Sequence, residues 1–209
     1  MEPVNRRLAL GIFYGLVLCL TCSFRAYSER PVKAERIREG SSLNLITEAE
    51  KHLNVREATG ENDGPWVKKY LKVTGLSEGY PWCAAFQAYI HDKVEIPAPR
   101  SARVVDWFNR NVVWKKEFGA MPFEAKPGMV GALYYQNLGR YGHILLIVGM
   151  DKNNYYTIEG NTNGAGSREG DGVYRKVRRK KSIAALADYC VNGNDFIEMY
   201  DWYLQKVIK

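Results

Sequence analysis

The chain has 209 residues, of which 46% are hydrophobic and 25% are charged, and its formal net charge is +7 at pH 7. This composition excludes a disordered chain, and the length provides one ordinary domain and a tail. The mildly basic charge is compatible with an anionic envelope polymer or a membrane surface. It is too modest to predict nucleic acid as a partner.

The first 28 residues have the pattern of an export signal. Arg6-Arg7 precedes an apolar run from Leu8 to about Phe24, and the small residues in Ala26–Ser28 suit cleavage after position 28. Three alternatives stay open: a cleaved signal peptide, an uncleaved membrane anchor, and a lipoprotein attached through Cys22. Each of them predicts an exported protein in the periplasm or cell envelope.

The next segment predicts a linker and then a group of helices. Residues 29–44 are charged and contain Gly40–Ser42, so we expect a linker there and a single folded domain over 45–209. Thr47 and Glu50 have the spacing of a capping box, and Pro65 suits the first position of a helix. The predicted helices cover about 47–57, 65–73, 82–93 and 103–111.

After residue 126 the pattern changes to that of strands. Short segments rich in β-branched and aromatic residues are separated by Gly or Asn, which predicts an antiparallel sheet. Helices followed by strands indicate the α+β class. The predicted strands cover Met129–Tyr135, His143–Met150, Tyr155–Glu159 and Val173–Val177, with a short helix over Ala184–Tyr189 and a last strand over Glu198–Val207.

Cys83 is the cysteine best placed for chemistry. Pro81 suits the first turn of a helix, so Cys83 would lie near the helix N-terminus. A helix N-terminus and a nearby imidazolium both lower the pKa of a thiol. The alternatives are a packed structural cysteine and a disulfide with Cys190, which we otherwise expect to be a small buried residue. No Cys/His spacing resembles a zinc site, so we expect neither a metal nor a cofactor.

Three histidines are available as the base. His91 lies eight residues along the same helix as Cys83, about 12 Å away at 1.5 Å per residue, which is too far for contact. His52 lies among charged residues, where we expect a solvated side chain. His143 begins a strongly apolar strand, and a polar residue in that position needs a partner. His143 is therefore the base that the sequence favours.

An imidazole base also needs its second nitrogen to be held. Glu159 ends a predicted strand and Asn161 follows two residues later, so both side chains can point to the same side. Either residue can orient His143, while the other supports the site or binds substrate. A polar turn between two strands is the alternative interpretation of Glu159–Asn161.

The segments that contain Cys83, His143 and Glu159–Asn161, in this order, resemble the CHAP domain. This is a papain-like fold of cysteine, histidine-dependent amidohydrolases and peptidases found in cell-wall lysins. The family's helix-borne cysteine matches Cys83, its Gly-His strand matches Gly142-His143, and its Glu-x-Asn strand end matches Glu159–Asn161. The resemblance covers about residues 45–195. One departure is Met129 after Pro127-Gly128, where relatives commonly carry Asp, and it does not bear on the thiol chemistry.

The resemblance implies an exported peptidoglycan hydrolase, and we expect a monomer. Cys83 would attack an amide carbonyl, His143 would protonate the leaving amine, and water would hydrolyse the thioester. Tyr80 and Trp82 are expected to contact the substrate. The amide at the sugar–peptide junction and those of the stem peptide or cross-bridge remain alternatives as the scissile bond.

Two other functions are compatible with the same residues. One is a non-catalytic envelope-binding module on the same fold, and the other is a cysteine peptidase or transamidase that acts on protein. The basic run Arg175–Lys181 predicts a solvated edge strand, and attraction to an anionic wall or lipid surface is the alternative.

Overall fold

The computed structural model describes residues 35–121, 123–164 and 170–191. The expected export segment 1–28 and the expected strand Glu198–Val207 lie outside these residues. None of the helices within the described ranges is long and apolar enough to span a bilayer. The helices are α1 (35–50), α2 (Pro65–Val73) and α3 (Cys83–Lys93), and the strands are β1 (Val112–Lys115), β2 (Val130–Tyr135), β3 (Arg140–Met150), β4 (Asn154–Thr162), β5 (Gly172–Arg179) and β6 (Ile183–Ala187).

The six strands form one antiparallel sheet in the order β1-β6-β2-β3-β4-β5. This arrangement confirms the predicted α+β class. It also confirms the two helices predicted over 65–73 and 82–93 and the four strands predicted between 129 and 177. The helix predicted over 103–111 is a shorter 3₁₀ helix, Val104–Phe108.

The short helix predicted over Ala184–Tyr189 is wrong, because this part of the chain is strand β6. β6 lies between β1 and β2, and all five of its residues are buried. Alanine and leucine favour a helix locally, but pairing on both sides and burial on both faces outweigh that preference here.

The first helix, predicted over about 47–57, covers 35–50, so it both begins and ends earlier than predicted. Residues 35–44, expected to belong to a linker, are part of α1, so the capping-box pattern at Thr47 and Glu50 lies within the helix rather than at its start. The buried Arg38 accounts for this: its Nε lies 2.6 Å from Asp188, and its Nη2 donates to the carbonyl of Pro127 at 2.7 Å. These contacts tie α1 to the segment that follows β6.

The core occupies both faces of the central strand β3. Ile144 and Leu146 belong to the cluster that contains α2 and α3, whereas Leu145 and Ile147 belong to a second cluster on the opposite face. Helix α3 is buried from Cys83 to His91. The two elements that carry Cys83 and His143 therefore lie at the centre of the molecule.

Two glycines allow close packing beside these elements. A Cβ at Gly160 in β4 would lie 2.8 Å from the side chains of Phe86 and Trp82, so only a glycine lets β4 approach α3 this closely. A Cβ at Gly142 would collide with the ring of Tyr135. Each glycine adjoins a predicted site residue, and each holds its strand against its neighbour.

Candidate active site

Cys83 is the first residue of α3, and its thiol borders a small cavity. The carbonyl of Trp82 accepts the first backbone hydrogen bond of the helix, from Phe86 at 2.8 Å. Cys83 is 5% exposed and lines a cavity of about 200 Å³. Cys83 and Cys190 are both free thiols, so the alternative of a disulfide between them is wrong, whereas Cys190 is buried as expected.

His143 is bound to Glu159 at the centre of the site. Its Nε2 lies 2.9 Å from Oε2 of Glu159, while its Nδ1 is buried without a hydrogen-bond partner. Burial lowers the pKa of His143, but the interactions with Cys83 and Glu159 outweigh burial and raise that pKa to about 9. Because Glu159 occupies Nε2, Nδ1 is the nitrogen left to serve the thiol.

Glu159 is fully buried and accepts hydrogen bonds from three side chains. Arg178 donates to both carboxylate oxygens, from Nε at 2.8 Å and from Nη2 at 2.6 Å, and Thr157 donates its hydroxyl at 2.6 Å. Burial raises the pKa of Glu159, but Arg178 and His143 outweigh it and hold that pKa at about 2. The carboxylate therefore stays ionised and can stabilise an imidazolium.

Asn161 holds the start of α3 in place. Its Oδ1 accepts the backbone N–H of Trp82 at 3.3 Å, and its Nδ2 donates to Asn62 at 2.9 Å and to the carbonyl of Gly170 at 3.2 Å. Its φ of 52° is left-handed, a conformation that asparagine tolerates better than most residues. Of the two residues that the sequence offered as partners of His143, Glu159 makes the contact and Asn161 supports the helix that carries Cys83.

The two residues expected to contact substrate differ in exposure. Trp82 is 0% exposed, and its Nε1 donates to Glu57 at 2.6 Å, so the expectation that its side chain touches substrate is wrong. Its bulk fills the space beneath the helix start, against the ring of Tyr70. Tyr80 is half-exposed and lines the same cavity as Cys83, where a substrate can reach it.

The other two histidines are buried away from the thiol. His52 was expected to be solvated, which is wrong: its Nδ1 lies 2.8 Å from the Tyr70 hydroxyl, and aromatic rings surround it. His91 donates Nδ1–H to the carbonyl of Gln87 at 2.8 Å and packs against Trp107. Burial lowers the pKa of both, to about 4 for His91, which is opposite to the shift at His143.

Four supporting residues were not predicted from the sequence: Glu57, Asn62, Thr157 and Arg178. Thr157 shares the strand alternation of Glu159, which is a usable signal. Arg178 lies in the basic run on β5, the edge of the sheet as far as the structure describes it, and its neighbours hide its role. The run is therefore only partly a solvated face, because Arg178 points at a buried carboxylate.

Within the described ranges, no group of three or more His, Cys, Asp or Glu side chains is arranged to hold a metal ion. Comparisons of the chain with protein-family models, with curated proteins and with solved structures found no match.

Proposed function

We propose that the chain is a cysteine-dependent hydrolase of amide bonds, with peptidoglycan as its substrate. The observation that carries the proposal is the arrangement of Cys83, His143 and Glu159. The thiol borders a cavity at a helix start, it contributes to the raised pKa of the imidazole of His143, and a buried carboxylate fixes the far nitrogen of that ring. A nucleophile, a base and an orienting acid in this order are the parts of a thiol acyl-transfer site.

The hydrogen bonds already present in the site determine which atoms can take part in the mechanism. Cys83 attacks the amide carbonyl as a thiolate, and the imidazolium of His143 gives its Nδ1 proton to the leaving amine, because Glu159 holds Nε2. Water then attacks the thioester and gives a proton to His143, which releases a carboxylic acid and restores the ion pair. The backbone N–H of Cys83, in the first turn of α3, is free of intrahelical bonding and can donate to the oxyanion.

The choice of peptidoglycan rests on the resemblance to the CHAP family and on the export pattern of residues 1–28. The sheet with a helix-borne cysteine and a strand-borne histidine is compatible with the papain-like arrangement that the resemblance implies. An exported enzyme of this kind meets the cell wall, whose stem peptides and cross-bridges are rich in amide bonds.

The test is digestion of purified sacculi by the wild-type protein and by Cys83→Ala, followed by zymography. We expect the variant to lose roughly 10³-fold or more of the activity, because it removes the nucleophile. Cys190→Ala is the matched control, since it removes a buried thiol outside the site and should still clear the sacculi. Equal clearing by wild type and Cys83→Ala would refute the proposal.

Mass spectrometry of the released fragments then distinguishes the possible bonds. A new N-terminus within a stem or cross-bridge identifies an endopeptidase, whereas release of intact stem peptides identifies an amidase at the sugar–peptide junction. A peptidase that acts on protein would leave the sacculi intact.

A further inference from the structure

We infer that the cavity beside Cys83 selects a substrate that carries a carboxylate close to the scissile amide. The inference rests on the proposed function and narrows its substrate to acidic peptides. Amidated or cationic peptides of the same length would be disfavoured.

The charge of the cavity lining is the first observation. Among the described residues that line it, only two are charged, and both are arginines, Arg103 and Arg140. The other described lining residues are apolar or weakly polar, so none of them supplies a carboxylate that neutralises the guanidinium groups. The lining residues are Leu76, Tyr80, Pro81, Cys83, Ala102, Arg103, Val104, Arg140 and Gly142.

The second observation is that both arginines are exposed and available. Arg140 begins β3, three residues before His143, and it pairs with no carboxylate in the part of the chain that the structure describes. Nη1 of Arg103 lies 3.7 Å from Asp106, and Asp106 accepts a much shorter hydrogen bond, 2.6 Å, from the hydroxyl of Ser101. The pairing of Arg103 is therefore loose and exposed, and a ligand can displace it.

The third observation is that the two arginines come from different elements. Arg103 precedes the 3₁₀ helix Val104–Phe108, whereas Arg140 begins a central strand, and both border the cavity that contains the thiol. A guanidinium group offers paired N–H donors that match the two oxygens of a carboxylate. Peptidoglycan stem peptides present free carboxylates beside their amide bonds, so the cavity suits this chemistry.

Alkylation of Cys83 measures the charge of the cavity without requiring turnover. Iodoacetate and iodoacetamide are similar in size, but only iodoacetate is an anion. We define the selectivity as the rate at which iodoacetate modifies Cys83 divided by the rate at which iodoacetamide modifies it. Peptide mass spectrometry locates the modification at Cys83. The ratio cancels any general change in thiol reactivity, and it also contains a constant contribution from His143.

The variants are Arg103→Gln, Arg140→Gln and the double substitution. We expect each single variant to lower the selectivity about fourfold, the size of one charge–charge attraction through water at about 5 Å. Arg179→Gln is the matched control, because Arg179 is an exposed arginine that lines a different cavity. It makes the same change in net charge and should leave the selectivity unchanged.

Salt provides a second measurement on the same proteins. At roughly 0.5 M salt, screening should reduce the difference in selectivity between wild type and the double variant. The inference would be overturned if the double variant had the same selectivity as the wild type. It would also be overturned if the difference in selectivity between the two proteins were as large at high salt as at low salt.

The substrate itself is tested with muropeptides whose stem carboxylates are free and with the same fragments after amidation. We expect kcat/KM to be several-fold higher for the free acids in the wild type and nearly equal for the two in the double variant. Equal kcat/KM in the wild type would refute the selection of carboxylates. If no fragment is cleaved, the proposed function fails, while the alkylation ratio still reports on the cavity.

Discussion

The carboxylate of Glu159 is fully buried and still ionised, because Arg178, Thr157 and His143 all donate to it. A charge in this setting would be costly without such partners. By fixing Glu159, Arg178 fixes the ring of His143 as well. Arg178 is therefore a positioning residue, although it does not touch the thiol.

The substitution Arg178→Ala tests this role. It leaves a buried carboxylate short of two hydrogen bonds, so we expect a loss of about 3 kcal/mol in the free energy of unfolding. A misplaced imidazole should also reduce the rate of sacculus digestion by about 10²-fold. Urea unfolding and turbidity measurements on sacculi provide the two readouts.

Arg179→Ala is the control, because it removes the neighbouring, exposed arginine of the same strand and should change neither quantity. Arg178→Lys keeps the charge and loses the paired donors, so its digestion rate should fall between those of wild type and Arg178→Ala. Equal digestion rates for wild type and Arg178→Ala would contradict a positioning role.

The residues of the candidate site differ in how easily the sequence alone predicts them. Cys83, His143 and Glu159 stand out because each lies at the end of a strongly patterned segment. Arg178 does not, because its contact depends on the register between β4 and β5, and six other residues of the basic run surround it. His52 was misjudged for a related reason: its aromatic neighbours Tyr70 and Tyr89 come from two later helices.

At the scale of elements, the packing of α3 against β4 decides where the thiol lies. Gly160 permits this approach, and Asn161 binds the backbone of Trp82 at the helix start. The strand that carries the orienting acid thus also fixes the helix that carries Cys83. A small change at this contact should therefore affect the whole site.

We expect Gly160→Ala to be destabilising by about 1–3 kcal/mol, because the added methyl group overpacks a rigid contact with Phe86 and Trp82. Urea unfolding measures the loss. Gly149→Ala in β3 is the matched control, since a Cβ there meets only Tyr156, at an ordinary 3.6 Å. If the two variants are equally stable, the close approach does not constrain the fold.

The elements that the sequence misplaced were decided by distant contacts. Residues 35–44 look like a linker because they are charged, yet Arg38 is buried against Asp188, which lies 150 positions away. Strand β6 has helix-favouring residues, and its pairing with β1 and β2 determines its conformation. The local sequence pattern indicates neither the contact of Arg38 with Asp188 nor the pairing of β6 with β1 and β2.

At the scale of the whole molecule, the histidines have opposite effects on the pH dependence of folding stability. Burial holds the pKa of His91 at about 4 and lowers that of His52, whereas the net effect at His143 is a raised pKa of about 9. His143 binds its proton more tightly in the folded state. Its contribution to stability is therefore complete below pH ~6.5 and is lost as the pH rises through about 9.

His91 and His52 act in the other direction, because the unfolded chain protonates them near pH ~6.5 and the folded chain resists protonation. The contribution of these three histidines to stability should therefore be greatest near pH ~6.5 and fall on both sides. Urea midpoints at pH 5, about 6.5 and 9 test this expectation. The substitution His143→Gln should reduce the decline toward pH 9, and an unchanged decline would contradict the assignment.

Cys83 begins a helix that is buried for nine successive residues, from Cys83 to His91. Such a helix cannot detach by itself, since its release would expose the core cluster on the face of the sheet that it covers. The position of the thiol relative to His143 is therefore kept for as long as the molecule is folded. The lifetime of this site should equal the lifetime of the native state, so the durability of the site is set by the rate of global unfolding.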